Sequence, residues 1–324
     1  MKTLDAKLAK IRSGKYTAKD FIIADAKDGD MGFGRAAPGP RRDGSSKLKT
    51  KAEYLSAMSE MTKSGLVDIM LMSASSCEAL SAKGFFTKSK VTPAVRLNDT
   101  TDIWSQRGSN YRETESYPFR TARPEKIKKL ADLGLYSVTF SNDVEADLYS
   151  LEKYGEFREE CVSAKVRHFL EVFNPAMDIG VKPAELGSYI NDCIVRALGG
   201  VLSNEHPLFL KMQYNGAAAM EELASYDPTK LIVGILGGAR GTTRDTFELA
   251  SQCEKHGGRV ALFGRKINFA EAPIELVRLM RGVIEGALKS ADAVKAYHDY
   301  LAKHKLVADR DLKTDLEITD SVLK

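Results

Sequence analysis

Short apolar runs alternate with longer helical patterns along the whole chain. Runs over 21–24, 66–72, 91–97, 136–140, 168–173, the apolar part of 207–216, 230–236 and 259–263 each have the length and bounding residues of a buried strand. Between and after them, apolar residues recur at helical spacing over 51–64, 76–83, 124–133, 143–167, 183–202, 272–288 and 291–303. Pro183 stands at a favoured first helical position, and Thr242 or Thr243 is placed to cap a further helix that runs to His256. A loop rich in Gly and Pro spans 28–44. The polar stretch 98–123 is the least regular in the chain, and loops of that length inside a domain usually carry function.

Strands that alternate with helices form parallel βαβ units, and eight strands are enough to close a barrel. The main competitor is an open doubly wound sheet, which carries a glycine fingerprint on its first turn. Gly32-Phe33-Gly34-Arg35-Ala36-Ala37 fits GxGxxA by letter, but Pro38-Gly39-Pro40 follows at once and blocks the helix that motif requires. The pattern therefore predicts a single α/β domain, a (β/α)8 barrel over 19–290. A lead-in helix over 1–18 precedes it, and a helix and charged tail over 291–324 follow.

Composition narrows the functional classes. The 324 residues are 43% hydrophobic and 28% charged, ample for a core of this size. A net charge of +4, with the signs interspersed, offers no basic tract for nucleic acid. No apolar run reaches membrane-spanning length, and the basic, polar start of the chain does not read as a signal peptide. Four scattered cysteines without a CxxC point to a reducing, cytoplasmic compartment. The five histidines show no HxH or HExxH spacing, and Asp25, Asp28 and Asp30 do not match a calcium loop, so no metal is expected.

In such barrels the chemistry sits at the C-terminal strand ends. Those ends carry Asp25 and Lys27 on the first strand, Arg96 and Asp99 on the third, Glu171 on the fifth and Lys211 on the sixth. Gly237-Gly238 ends the seventh and Gly264-Arg265 the eighth. Burial disfavours an ammonium, and a lysine deprived of its charge condenses with carbonyls to a Schiff base. A lysine at a strand end can also simply reach out to solvent, so the acids that converge on Lys211 decide the reading. Glycines after the seventh strand let backbone N–H groups approach an anion, and Arg265 adds a cation. Phosphate and sulfonate fit that chemistry equally well.

This set of strand ends resembles the class I (Schiff-base) aldolases of the DeoC/LacD superfamily, including archaeal-type fructose-bisphosphate aldolase and tagatose-bisphosphate aldolase. Leu210-Lys211-Met212-Gln213-Tyr214-Asn215-Gly216 looks like their imine-forming segment, and Ile23-Ala24-Asp25-Ala26-Lys27 is similar to their first strand. Leu170-Glu171 resembles their strand-five glutamate, and Gly237-Gly238 with Gly264-Arg265 resembles their phosphate site. Two departures stand out: 136–140 lacks the second lysine of the tagatose-type enzymes, and the 98–123 loop has no counterpart.

The resemblance implies a carbon–carbon lyase that needs no cofactor beyond a covalent imine on Lys211. Its substrate would be a ketose or ketose phosphate, and the chain would be a homo-oligomer. Glu171 is then the first choice for proton transfer and Asp25 the second. Lys27, Arg96, Asp99, Gly237, Gly238, Gly264 and Arg265 would bind substrate. The run around Gly237-Gly238 also resembles the phosphate end of FMN-dependent barrel oxidoreductases, although no histidine stands near the end of strand six or seven. A catalytically silent sugar-phosphate binder is the third reading.

Overall fold

The structure is a computed structural model that describes residues 1–104 and 106–324. Eight parallel strands close a barrel: β1 (Ile22–Lys27), β2 (Ile69–Met72), β3 (Thr92–Arg96), β4 (Leu133–Thr139), β5 (Arg167–Phe173), β6 (Leu210–Met212), β7 (Gly234–Leu236) and β8 (Val260–Phe263). Their hydrogen-bonded order follows the chain, and β8 returns to pair with β1 through Ile22↔Val260 and Asp25↔Phe263. The (β/α)8 barrel expected from the alternation is the observed fold.

Side chains alternate across each strand, and two apolar layers result. Ile22, Ala24, Ile69, Leu71, Ala94, Leu135, Phe169, Phe209 and Leu262 point inward and fill the lower barrel. Phe169 and Phe209 stack there with centroids 4.7 Å apart. The helix α1 (Thr3–Arg12) inserts Leu4, Leu8 and Ile11 into the same cluster. It closes the N-terminal end of the barrel, where Lys7 Nζ donates to Phe21 O and pairs with Asp68. Ile23, Met70, Val95, Val138, Leu170 and Ile235 point outward and pack against the helices.

Several elements differ from the sequence expectation. The segment 124–133 is helical only over Pro124–Ile127, because Leu133 and Leu135 are needed inside the barrel as the start of β4. A helix at Ala217–Tyr226, after β6, was not expected. The 98–123 stretch contains a two-stranded antiparallel ribbon, Asp99–Thr100 against Pro118–Phe119. Trp104 stacks on Phe119 at 4.9 Å and meets Tyr111 edge-on at 5.5 Å, so the loop has a small aromatic core of its own.

The helix Thr243–Lys255 is capped by Thr242, with Asp245 completing a capping box. Asp245 also accepts hydrogen bonds from Thr319 Oγ1 (2.5 Å) and Thr319 N (2.8 Å), which fastens the C-terminal tail over the seventh unit. Asp309 in that tail pairs with both Arg42 and Arg240.

His168, on the outward face of β5, has its Nε2 2.9 Å from the Tyr154 hydroxyl. Burial pushes its imidazole down to about 3. The native state thus excludes a proton that the unfolded chain accepts below about pH 6.5. The stability tied to this neutral ring is complete above pH 6.5 and is lost, at up to about 1.4 kcal/mol per pH unit, as pH falls toward 3. Urea titrations from pH 7 to 4 are expected to show a shallower stability decline in His168→Gln than in the parent. Equal slopes would contradict this account.

Candidate active site

The C-terminal strand ends surround a cavity of about 940 Å3. Going up the barrel, the inward positions change from apolar to polar. Ala24 and Ala26 lead to Asp28, Ala94 to Arg96, Leu135 to Ser137, Phe169 to Glu171 and Phe209 to Lys211. Register aligns three of these in one layer, Ser137↔Glu171 and Glu171↔Lys211.

One connected polar cluster results. Lys211 Nζ lies 2.5 Å from Glu171 Oε1. The other oxygen, Oε2, accepts from Arg96 Nη2 at 2.8 Å and from Ser137 Oγ at 2.7 Å. Arg96 Nη1 donates to Ser137 Oγ (3.0 Å), and Nε donates to Asp28 Oδ2 (2.5 Å). Asp99 Oδ1 stands 3.1 Å from Nη1. Asn98 holds β4 in place, accepting from Ser137 N at 2.6 Å and donating to Ser137 O at 2.8 Å. Glu171 is 1% exposed, Lys211 and Asp28 5% and Arg96 6%, so these charges depend on one another rather than on water.

The electrostatics follow from that burial. Burial alone would raise the Asp28 carboxyl, but the Arg96 and Lys211 charges outweigh it and hold it below the usual range. For Asp99 burial wins over Arg96, and the carboxyl is pushed up to about 6. Burial would lower the Arg96 guanidinium, yet Asp99, Asp28 and Glu171 together raise it. Among the described residues no group of three or more potential metal-ligating side chains is found; the three acids surround a guanidinium instead.

The structure thus brings Lys211, Glu171, Arg96 and Asp99 together, but not Asp25 or Lys27. Those two share the outward face of β1 with Ile23, do not line the cavity, and pair with each other at 2.9 Å. Ile22, Ala24 and Ala26 point into the barrel, so the even-numbered positions of β1 face inward, and Asp28 just past its end occupies the place expected of Asp25. The sequence carries this signal in the alternation of Ile22, Ala24, Ala26 and Asp28. Tyr214 likewise faces outward, and its hydroxyl donates to Gln252 at 2.9 Å. Ser137 and Asn98 carried no motif. Ser137 stands on the strand where a second lysine was sought, in contact with Glu171.

Gly237, Gly238, Gly264 and Arg265 all line the cavity. Gly238 has φ +63° with open space around a notional Cβ, whereas a Cβ on Gly264 would lie 2.8 Å from Ala26 O. Close packing of β8 on β1 therefore requires the glycine at 264, apart from any ligand. The Arg265 guanidinium lies over the Phe33 ring, 4.9 Å from its centroid. Lys266 turns away to donate to Arg240 O, and burial lowers its ammonium to about 8.

The chain is a TIM barrel, and barrels among the solved structures are similar to it over most of its length. A fructose-bisphosphate aldolase from Slackia heliotrinireducens DSM 20476 is 12% identical with a TM-score of 0.66, over 92% of this chain and 90% of that one. An archaeal fructose 1,6-bisphosphate aldolase is 12% identical with a TM-score of 0.63, over 87% and 99%. A Schiff-base-forming fructose-1,6-bisphosphate aldolase is 15% identical with a TM-score of 0.62, over 87% and 99%. At these identities the likeness establishes the shared fold. No protein-family model and no curated protein sequence matches the chain. No helix among the described residues is long and apolar enough to cross a membrane.

Arg96→Met leaves Asp28, Asp99 and Glu171 buried around an apolar side chain. Breaking such a set costs about 3–5 kcal/mol. Urea unfolding is expected to show the full loss at pH 8 and a smaller one at pH 5. Arg96 lowers the Asp28 and Asp99 carboxyls, so without it both rise further, and the variant's native state takes up more protons than the parent's as pH falls. A loss independent of pH would refute this reading of the cluster.

Proposed function

We propose that the protein is a class I aldolase that forms a Schiff base between Lys211 and a ketose or ketose phosphate. The observation that carries this reading is the buried Lys211 at the end of β6 with Glu171 2.5 Å from its Nζ. The same barrel in a Schiff-base-forming fructose-1,6-bisphosphate aldolase supports it.

Glu171 takes a proton from Lys211, and the neutral amine attacks the substrate carbonyl carbon. The resulting carbinolamine loses water to give an iminium. Cleavage of the adjacent C3–C4 bond sends its electron pair into the iminium nitrogen and forms an enamine, while the C4 hydroxyl proton passes to a carboxylate. Glu171 reaches the imine nitrogen. Asp28, kept ionised by Arg96, replaces Asp25 as the second acid that a substrate hydroxyl can meet. The leaving fragment is an aldehyde; protonation of the enamine at C3 and addition of water then release a dihydroxyacetone-type ketone and restore Lys211. Arg96 and Ser137 orient Glu171 throughout. Gly237, Gly238, Gly264 and Arg265 hold the anionic end, fixing the carbonyl against the lysine. The free cysteines Cys77, Cys161, Cys193 and Cys253 support a reducing, cytoplasmic setting. A homo-oligomer remains part of the proposal.

Borohydride reduction of the protein with dihydroxyacetone or its phosphate, followed by peptide mass spectrometry, is expected to place one triose adduct on Lys211. Lys211→Ala abolishes the adduct, and Glu171→Gln slows its formation by about 100-fold or more. A protein unmodified at Lys211 by either ketone would overturn the aldolase reading, and a bound yellow chromophore in that protein would favour the flavin enzyme.

A further inference from the structure

Among the described residues, seven charged side chains line the cavity, and they divide into a mixed floor and a purely cationic mouth. The floor holds two cations, Arg96 and Lys211, against three carboxylates, Asp28, Asp99 and Glu171, so with all five ionised one negative charge is in excess. The mouth holds Arg112 and Arg265, both exposed, with no carboxylate beside them in the lining. Neither guanidinium forms an ion pair among the described residues.

Arg112 comes from the 98–123 loop. It sits on the short turn Tyr111–Glu113, and Tyr111 is anchored on Trp104, which is stacked on Phe119 of the ribbon. Arg265 is held separately, by the Phe33 ring from the loop after β1. Both arginines line the same cavity, and the Arg265 guanidinium is lowered first by burial and second by the Arg112 charge, so the two like charges lie close enough to act on each other. Two unpaired like charges held by separate supports are relieved by a single dianion between them.

We infer that the cavity takes a ligand with one dianionic end and one uncharged end: Arg112 and Arg265 close on a phosphate monoester at the mouth, and the negative floor receives a neutral carbonyl or polyol. This deepens the proposed function and rests on it only for the identity of the buried end. It assigns the 98–123 loop a role in substrate choice. It also favours phosphate over a monoanionic sulfonate. A second phosphate at the far end of the ligand would meet a floor already in negative excess, so a monophosphate is preferred to a bisphosphate.

Calorimetric titration of the full-length protein with a hexitol monophosphate, the matching bisphosphate and a sulfonate analogue tests this without imine formation, because none of the three carries a carbonyl. The monophosphate is expected to bind about tenfold more tightly than the sulfonate, and the bisphosphate no more tightly than the monophosphate. Arg112→Gln and Arg265→Gln are each expected to erase most of the preference over the sulfonate, and Arg112→Lys to retain part of it. An undiminished preference in Arg112→Gln, or a bisphosphate bound tenfold more tightly than the monophosphate, would overturn the inference. These readings are independent of borohydride trapping, so a phosphate clamp on a protein that forms no adduct would sink the aldolase reading alone.

Discussion

The site depends on one guanidinium. Arg96 reaches from β3 into the middle of the barrel and is met by acids from the loop after β1, from the loop after β3 and from β5. Each of those carboxylates is buried deeply enough that it would be unfavourable as an anion without a cation beside it. In satisfying all three, Arg96 fixes where Glu171 presents its free oxygen, and hence what Lys211 faces. The planar fork of arginine suits this task because its nitrogens address three directions at once; an ammonium is a point charge without that fixed fork.

The cluster also explains why a lysine is tolerated so far inside. Below it the barrel is closed by stacked phenylalanines and the apolar face of α1, so no water reaches the ammonium from that side. Its partner is the carboxylate that Arg96 and Ser137 already orient. Under the proposed chemistry the amine loses its proton to that same carboxylate. Nucleophile and base are then supplied by adjacent strands in one layer, and no loop movement is needed to assemble them.

The barrel was legible in the sequence because eight buried strands leave eight apolar runs, and periodicity reports burial directly. Lys211, Glu171 and Arg96 were legible because each is a charged residue at the end of such a run. Asp25 and Lys27 misled for the same reason. They too lie at the end of an apolar run, but a strand has two faces, and the inward parity of Ile22 and Ala24 turns Asp25 and Lys27 outward and Asp28 inward. Ser137, Asn98 and Arg112 left no trace of this kind. A serine in a strand, an amide in a loop and an arginine in an irregular stretch acquire meaning only from neighbours distant in sequence. The helix Ala217–Tyr226 went unassigned although the segment is rich in alanine, and the short helix at Pro124–Ile127 was overextended because Leu133 and Leu135 fit either period.

Asp309 joins Arg42 and Arg240, so the tail ties the loop after the first strand to the loop after the seventh. Arg42 and Asp309 are 267 positions apart. Asp245, which completes the cap of the helix behind Gly237-Gly238, is held by Thr319 of the same tail. As the chain emerges from a ribosome, the barrel strands are therefore available well before the struts that brace its upper edge. The entrance of the cavity and the barrel beneath it are thus held by different parts of the chain, the one by side-chain struts from the tail and the other by strand pairing.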